Sequence, residues 1–379
     1  TGPRVAPGPR VAVGPRVAAG PRVAAGPRVA AGPRVAVIGA GIMGAAVAHA
    51  LAAGGARVTV IEAVGPAAGV SGASTGWVGE VLSEPGDAGT RALRRAAMAA
   101  WARLATVLPA LPVRRCGAIV QDADPALSEA RAAATEGARL IGREAIAERL
   151  PALAHPPAAA VDAPGEMAVE VAGATRLLVA AATGPGGLVA ASARAIEAGA
   201  GRVRAVLTDL GAIEVEAAVV AGGRGVPALL APWAAVDIPG SPAALVEIAA
   251  GHATIAPLLD TPEIECRTVA PGLLRVATGV AAGETAEAIG ARVAAAAARA
   301  LRLAGPPVVR RARTGLRPMP AAPLIGPVAG CAGLYAAVGH PGVMLAPLAG
   351  EALAAAILAT PLGGATSPLP LEVLHDRRP

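Results

Sequence analysis

Val35-Ala36-Val37-Ile38-Gly39-Ala40-Gly41-Ile42-Met43-Gly44, with its continuation through Arg57-Val58-Thr59-Val60-Ile61 to Glu62, is the stretch that decides the fold. Its four leading apolar residues form a short buried-strand run; Ala45 to Ala53 is helix-forming and is stopped by Gly54-Gly55. A second strand over 57–61 then ends at an acid, 18 residues after Gly44. Strand, glycine turn, helix, strand and acid in that order predict a dinucleotide-binding unit. Each piece has a physical task. Gly39 permits the tight turn, Gly41 lets the backbone approach a pyrophosphate, and Gly44 lets the helix pack close to the strand. The helix start around Ala40, Ile42 and Met43 offers free N–H groups and a positive dipole end to phosphates. Glu62 can accept both ribose hydroxyls. With no Arg just after it, a 2′-phosphate is disfavoured, which leaves NAD or FAD.

Upstream of this unit, Gly-Pro-Arg-Val-Ala recurs six times at a period of six, from Gly2 to Gly32, and its last copy runs into the first strand. The earlier copies therefore look like duplications of that strand's own lead-in. Val stands three residues after each of these glycines, which excludes a collagen helix. Pro and Gly in every unit leave too few consecutive residues to fold, so residues 1–33 are expected to form a disordered arm. The arm also explains the charge: it holds five Arg and no acid, so the formal +6 of the chain falls to about +1 over the rest. Lacking a basic stripe with interleaved aromatics, the body is not expected to bind nucleic acid.

The 379 residues are 54% hydrophobic but only 1% aromatic, enough apolar material for more than one core. All 33 basic residues are Arg. Without Lys there is no Walker-type phosphate loop and no Schiff-base nucleophile. Cys116, Cys266 and Cys331 form no Cys-x-x-Cys pair and the five His make no His-x-x-x-His cluster, so neither a disulfide scaffold nor a metal site is expected. No long apolar stretch escapes charged, Pro or Gly interruption and the N-terminus has no apolar signal core, so a cytoplasmic protein without an integral membrane segment is expected.

Downstream, Gly69-Val70-Ser71-Gly72-Ala73-Ser74-Thr75-Gly76-Trp77 is a small-residue loop with hydroxyls that can lie flat against a bulky planar cofactor. Near the C-terminus, Gly315-Leu316-Arg317-Pro318-Met319-Pro320 precedes Leu324-Ile325-Gly326-Pro327. A strand over 333–338 then meets Gly339-His340-Pro341-Gly342 and a helix expected from about Met344 to Ala359. A second helix N-terminus thus points back toward the nucleotide fold.

Taken in order, these pieces and the strand end Val219-Val220-Ala221-Gly222-Gly223 resemble the D-amino-acid oxidase-like family of FAD-dependent oxidoreductases, which includes glycine oxidase, sarcosine oxidase and D-amino acid dehydrogenases. The resemblance spans nearly everything after the repeat. It implies an α/β chain (α+β overall) with a discontinuous Rossmann-like FAD-binding domain over 34–95, 170–225 and 310–379. A second, largely antiparallel β-sheet substrate domain would comprise 96–169 and 226–309. Within the middle segment, Leu188 to Ala198 is expected to be a helix, followed by short strands near 202–207 and 213–220.

The resemblance further implies non-covalent FAD held by Gly39, Ala40, Gly41, Ile42, Met43, Gly44, Glu62, Ser71, Ser74, Thr75, Gly76, Gly222, Gly339, Gly342, Val343 and Met344. The reaction would be oxidation of the C–N bond of a small amine or amino acid by hydride transfer to flavin, with imine hydrolysis and with dioxygen or another acceptor taking the electrons. Arg317 is expected to pair with the substrate carboxylate. His340 is a candidate acid–base group in a loop suited to backbone contact with the flavin. Trp77 is a candidate neighbour of the ring, whereas Trp101 and Trp233 belong to packing. Two differences from the family pattern stand out: Ala321-Ala322 where relatives carry Asp-Gly, and Arg224 beside the cofactor loop. An NAD-dependent hydroxyacid- or imine-reducing dehydrogenase shares the Gly-Ala-Gly-Ile-Met-Gly turn and is one competing reading. A degenerate, non-catalytic flavin-binding homologue or subunit is the other.

Overall fold

The structure, a computed structural model, describes residues 32–184 and 187–358. The expected arm lies outside the described residues except for Gly32 and Pro33, as does Ala359 at the end of the last expected helix. A six-stranded sheet carries the nucleotide unit. Its order is Leu324–Pro327, Leu334–Val338, Ala217–Val220, Arg34–Ile38, Arg57–Glu62 and Leu188–Ala190, all parallel except the first pair. Parallel neighbours demand crossovers, and the first is the expected helix, Ile42–Ala53.

Side-chain alternation decides what each face of this sheet covers. Val35 and Val37 point into a core shared with helices Ile42–Ala53, Val171–Thr183 and Gly342–Leu358, while Ala36 and Ile38 point into a second core. A three-stranded antiparallel sheet, Ala193–Gly199, Arg202–Thr208 and Gly211–Glu214, supplies Ile196, Val203 and Val206 to that second core.

The expected helix over Leu188–Ala198 is not formed. Leu188–Ala190 pairs with Val60–Glu62 and Ala193–Gly199 pairs with Arg202–Thr208. Its Ala and Glu content favours a helix only by tenths of a kcal/mol per residue, and the exposed edges of two sheets outweigh that preference.

An eight-stranded sheet forms the other body of the fold, in the order Val308–Pro318, Gly240–Ala249, Leu273–Gly279, Glu265–Ala270, Leu258–Asp260, Ala118–Val120, Ala159–Ala163 and Arg139–Gly142. Every pairing in it is antiparallel except Leu258–Asp260 with Ala118–Val120. Helix Ala286–Ala300 lays Ile289, Val293 and Ala297 on one face of it. Strand Val308–Pro318 belongs to this sheet and carries Arg317, opposite Ser241.

The turn after the first strand is set by two glycines. Gly39 has φ +104°, a backbone conformation that strains any residue with a Cβ. At Gly44 a Cβ would fall 2.0 Å from the Gly39 carbonyl oxygen, so the helix leaves the strand at backbone contact. Because the atom met is backbone and cannot swing away, Gly44→Ala is expected to cost about 2 kcal/mol or more as overpacking. Chemical denaturation should show this as a lower midpoint at an unchanged slope.

Candidate functional site

A single cavity of about 770 Å³ runs from the nucleotide turn to the start of the C-terminal helix. At one end it is lined by Gly39, Gly41, Ile42, Met43 and Glu62; Ser71, Ser74 and Thr75 follow. Gly222 lies against Gly39; Gly339, Gly342, Val343 and Met344 line the cavity at the start of the C-terminal helix, and Arg317 and His340 face the same space. Two separated parts of the chain therefore enclose one volume.

Three of the expected cofactor residues do not line it. Ala40 is buried, and its N–H donates to Glu62 Oε2 at 2.8 Å. Gly44 sits at the helix–strand contact described above. Gly76, at φ +74°, is a turn where a Cβ would fall 1.9 Å from the Val169 carbonyl oxygen. All three shape the wall from behind.

The nucleotide end is held by backbone-to-side-chain bonds. Besides Ala40, the Glu62 carboxylate accepts the N–H of Val64 at 3.0 Å, which fixes its orientation at the end of the second strand. The Ser71 hydroxyl accepts the Ile42 N–H at 2.9 Å and so fastens the small-residue loop to the first turn of the helix. These features fit FAD. A left-handed glycine, a helix N-terminus open to the cavity, a fixed acid after the second strand and a second helix N-terminus at the far end supply contacts for pyrophosphate, ribose and ring.

At the far end, the Trp101 indole N–H donates to the Val343 and Met344 carbonyls at 3.0 and 3.2 Å, so the tryptophan assigned to packing also orients the first turn of the returning helix. Trp77 lines the cavity, and its indole N–H donates to Glu166 at 2.6 Å. Glu166 is buried, which pushes its carboxyl up to about 7, and it also accepts the N–H groups of Glu80 and Val81. Arg224 lines the cavity as expected.

Four charged or titratable groups line the cavity. Arg317 is open to the cavity and donates to Ser241 Oγ at 2.9 Å. Glu265, on strand Glu265–Ala270 and separated from the Arg317 strand by two others, also lines the cavity. Burial, reinforced by the charge of Asp260, pushes its carboxyl up to about 7 against the opposing pull of a Thr75 hydrogen bond and Arg317. His340 stands beside them, and the protein packed around its ring, with the charges of Arg317 and Arg94, lowers its pKa from the ordinary value. Arg94, on helix Ala88–Val107, completes the group.

Sequence reasoning missed Glu265 and Arg94, since neither lies in a motif and each reaches the cavity only through long-range packing. It also missed Arg267, whose guanidinium donates to the Thr75 carbonyl at 2.6 Å and the Val169 carbonyl at 3.0 Å. That side chain pins the cofactor loop to the sheet.

The sequence model of the FAD-dependent oxidoreductase family (DAO) matches residues 34–356. The chain belongs to this family. It is an FAD-dependent enzyme, and the NAD-dependent reading is thereby set aside. Among solved structures, glycine oxidase from Bacillus cereus superposes with a TM-score of 0.76 at 22% identity, covering 86% of this chain and 94% of that one. Glycine oxidase from Geobacillus kaustophilus gives 0.77 at 20% identity, with coverages of 87% and 96%. For an L-amino acid deaminase from Proteus vulgaris the values are 0.76 and 19%, with coverages of 89% and 93%. At these identities the likeness is one of fold. No curated protein sequence matches the chain. Among the described residues no helix is long and apolar enough to cross a membrane, and no group of His, Cys, Asp or Glu could hold a metal ion.

Glu62 offers a direct test of the nucleotide end. A hydrogen bond to a charged group contributes about 1.5–3 kcal/mol, so Glu62→Ala is expected to weaken FAD retention by about tenfold or more. The ratio of flavin to protein absorbance after dialysis measures this, and undiminished retention would detach Glu62 from the cofactor.

Proposed function

We propose that this flavoenzyme oxidises the C–N bond of a small amino acid or N-substituted glycine. The observation that carries the reading is the one cavity in which the nucleotide turn, the returning helix and the cluster of Arg317, Glu265 and His340 face each other. The names of the similar structures, glycine oxidase and L-amino acid deaminase, support the same substrate class. In this reading the six-stranded sheet and its helices hold the cofactor without a covalent bond, and the eight-stranded sheet supplies the substrate wall.

Arg317 binds the substrate carboxylate. Its planar guanidinium matches a carboxylate with two parallel hydrogen bonds. The bond to Ser241 fixes its direction. Glu265 faces the same cavity as Arg317, and in this reading the amine of a bound amino acid lies toward it. An ammonium must lose a proton before a hydride can leave the adjacent carbon, and a carboxyl titrating near 7 can take that proton at neutral pH. When bound, FAD supplies the acceptor for the hydride from the amine-bearing carbon. The imine that results is hydrolysed by water to a carbonyl compound and free amine, and dioxygen or another acceptor finally takes the electrons.

Burial and the charges of Arg317 and Arg94 lower the pKa of His340, which disfavours a cationic acid there, and in this reading it is a positioning group. The N-terminus of helix Gly342–Leu358 opens on the cavity and favours negative charge on whatever is bound there.

Two measurements test these roles. Arg317→Lys is expected to weaken binding of simple carboxylate inhibitors by about tenfold or more, since a lysine lacks the two-pronged fit, while flavin content stays the same. Unaltered inhibitor affinity would remove Arg317 from the site. The rate of anaerobic flavin bleaching by an amino acid at low concentration should rise with pH through about 7 as Glu265 deprotonates. Glu265→Gln should abolish that limb, and a limb that persists in the variant would assign the proton to another group.

A further inference from the structure

We propose that Glu166, buried outside the cavity, is a positioning residue for the cofactor: by holding the indole N–H of Trp77 it fixes that ring as an aromatic part of the wall against which the flavin lies. The inference concerns the FAD that defines this family and does not depend on the amine reading above.

Trp77 lines the cavity and Glu166 does not, although the two side chains meet. The short strand Trp77–Val78 pairs antiparallel with Met167–Val169, and Trp77 stands opposite Ala168. Glu166 is the residue just before that partner strand. The indole N–H donates to Glu166 Oε2 at 2.6 Å, while Oε1 accepts the N–H groups of Glu80 and Val81 at 2.9 and 3.1 Å. Room for the carboxylate comes from Gly79, where a Cβ would collide with it. Leu82, just beyond this turn, lines the cavity as Trp77 does.

Three N–H groups thus converge on two oxygens. A carboxylate is acceptor-only and suits this set, whereas an amide would turn hydrogens toward one of the donors. Glu166 is 1% exposed, and burying a carboxylate is costly unless its bonds offset the loss of water. The two backbone N–H groups need only one of its oxygens. The second oxygen serves the indole alone. Since the indole has a single polar atom and Glu166 takes it, what Trp77 offers the cavity is aromatic carbon, a surface suited to a planar ring. Trp77 also ends the loop whose Ser74 and Thr75 line the same cavity, which makes the flavin the planar group assigned to it. The charged groups that face Glu166 are Glu80, whose carboxylate is held by Arg95 at 2.9 Å, and Arg94, which donates to the Gly79 carbonyl at 3.2 Å.

The test reads the emission and affinity of bound FAD. An excited flavin is quenched by an indole in contact with it and not by a phenyl ring. In Glu166→Gln the amide oxygen stays with the two backbone N–H groups and the NH2 faces the indole N–H, so only the Trp77 bond is lost. That variant and Trp77→Phe are each expected to raise the emission of bound FAD and to weaken its binding about threefold or more, the latter measured by dilution of the holoenzyme. Added to Trp77→Phe, Glu166→Gln should leave both quantities where Trp77→Phe alone puts them. Circular dichroism establishes that each variant is folded. A titration of the wild type reports on the same bond without Glu166→Gln. Emission should rise as the pH falls through about 7 and Glu166 takes up a proton, and this rise should be missing from Trp77→Phe. The proposal is overturned if either single variant leaves the emission unchanged, or if Glu166→Gln acts in full on top of Trp77→Phe. Should Glu166→Gln not fold, it is overturned if the wild type shows no rise that Trp77→Phe lacks.

Discussion

Backbone contact between the Gly39 carbonyl and Gly44 is the constraint on which the rest of the molecule depends. It brings the first helix against the strand it has just left and aims that helix's N-terminus at the space beyond the sheet edge. The same economy recurs one layer out. At Gly350 a Cβ would fall 2.7 Å from the Ala46 carbonyl oxygen, so the C-terminal helix crosses the first helix almost backbone to backbone. Alanine and glycine, abundant in this chain, suit such crossings because they let helix axes approach without side chains between them. The returning helix consequently starts at the cavity and not beside it.

What the first helix and the returning helix enclose is completed by the second sheet. Strand Val308–Pro318 runs antiparallel to Gly240–Ala249 and delivers Arg317, and Glu265–Ala270, two strands further in, delivers Glu265. Arg267, from that same strand, reaches back to the Thr75 carbonyl and ties the loop over 69–77 to the eight-stranded sheet. The eight-stranded sheet thus does two tasks with one strand: it places a titratable carboxyl in the cavity and braces the loop opposite it.

Among Lys and Arg, this chain carries its positive charge on arginine alone. Structural arginines are matched to carboxylates, as with Arg131 and Asp122, or to carbonyls, as with Arg267. In the cavity, Arg94 donates to the Gly79 carbonyl at 3.2 Å and Arg317 to the Ser241 hydroxyl at 2.9 Å. Around them the titrating groups shift toward neutrality, Glu265 upward and His340 downward, each driven first by loss of solvent. A cavity with fixed positive charges and neutral-leaning acid and base groups suits binding of anions next to a proton transfer near neutral pH.

Residues 34–62 could be interpreted from sequence because everything that defines them is local: apolar runs of strand length, glycines at fixed offsets, a helix stop and an acid. The cofactor loop, Arg317 and the return at Gly339–Met344 were found because they are contiguous motifs, and the structure brings them to one cavity. Local preference failed over 188–198, where alanine-rich sequence joined two sheets through edge pairing that no short window contains. Glu265, Arg94 and Arg267 were invisible for a related reason, since a lone charged residue in a strand or helix looks like any solvated one until the chain folds. The sequence alone determined that this protein turns tightly around a nucleotide, because turn geometry depends on neighbouring residues. Only the tertiary structure decided which charges face that nucleotide, because burial and convergence are properties of segments far apart in the chain.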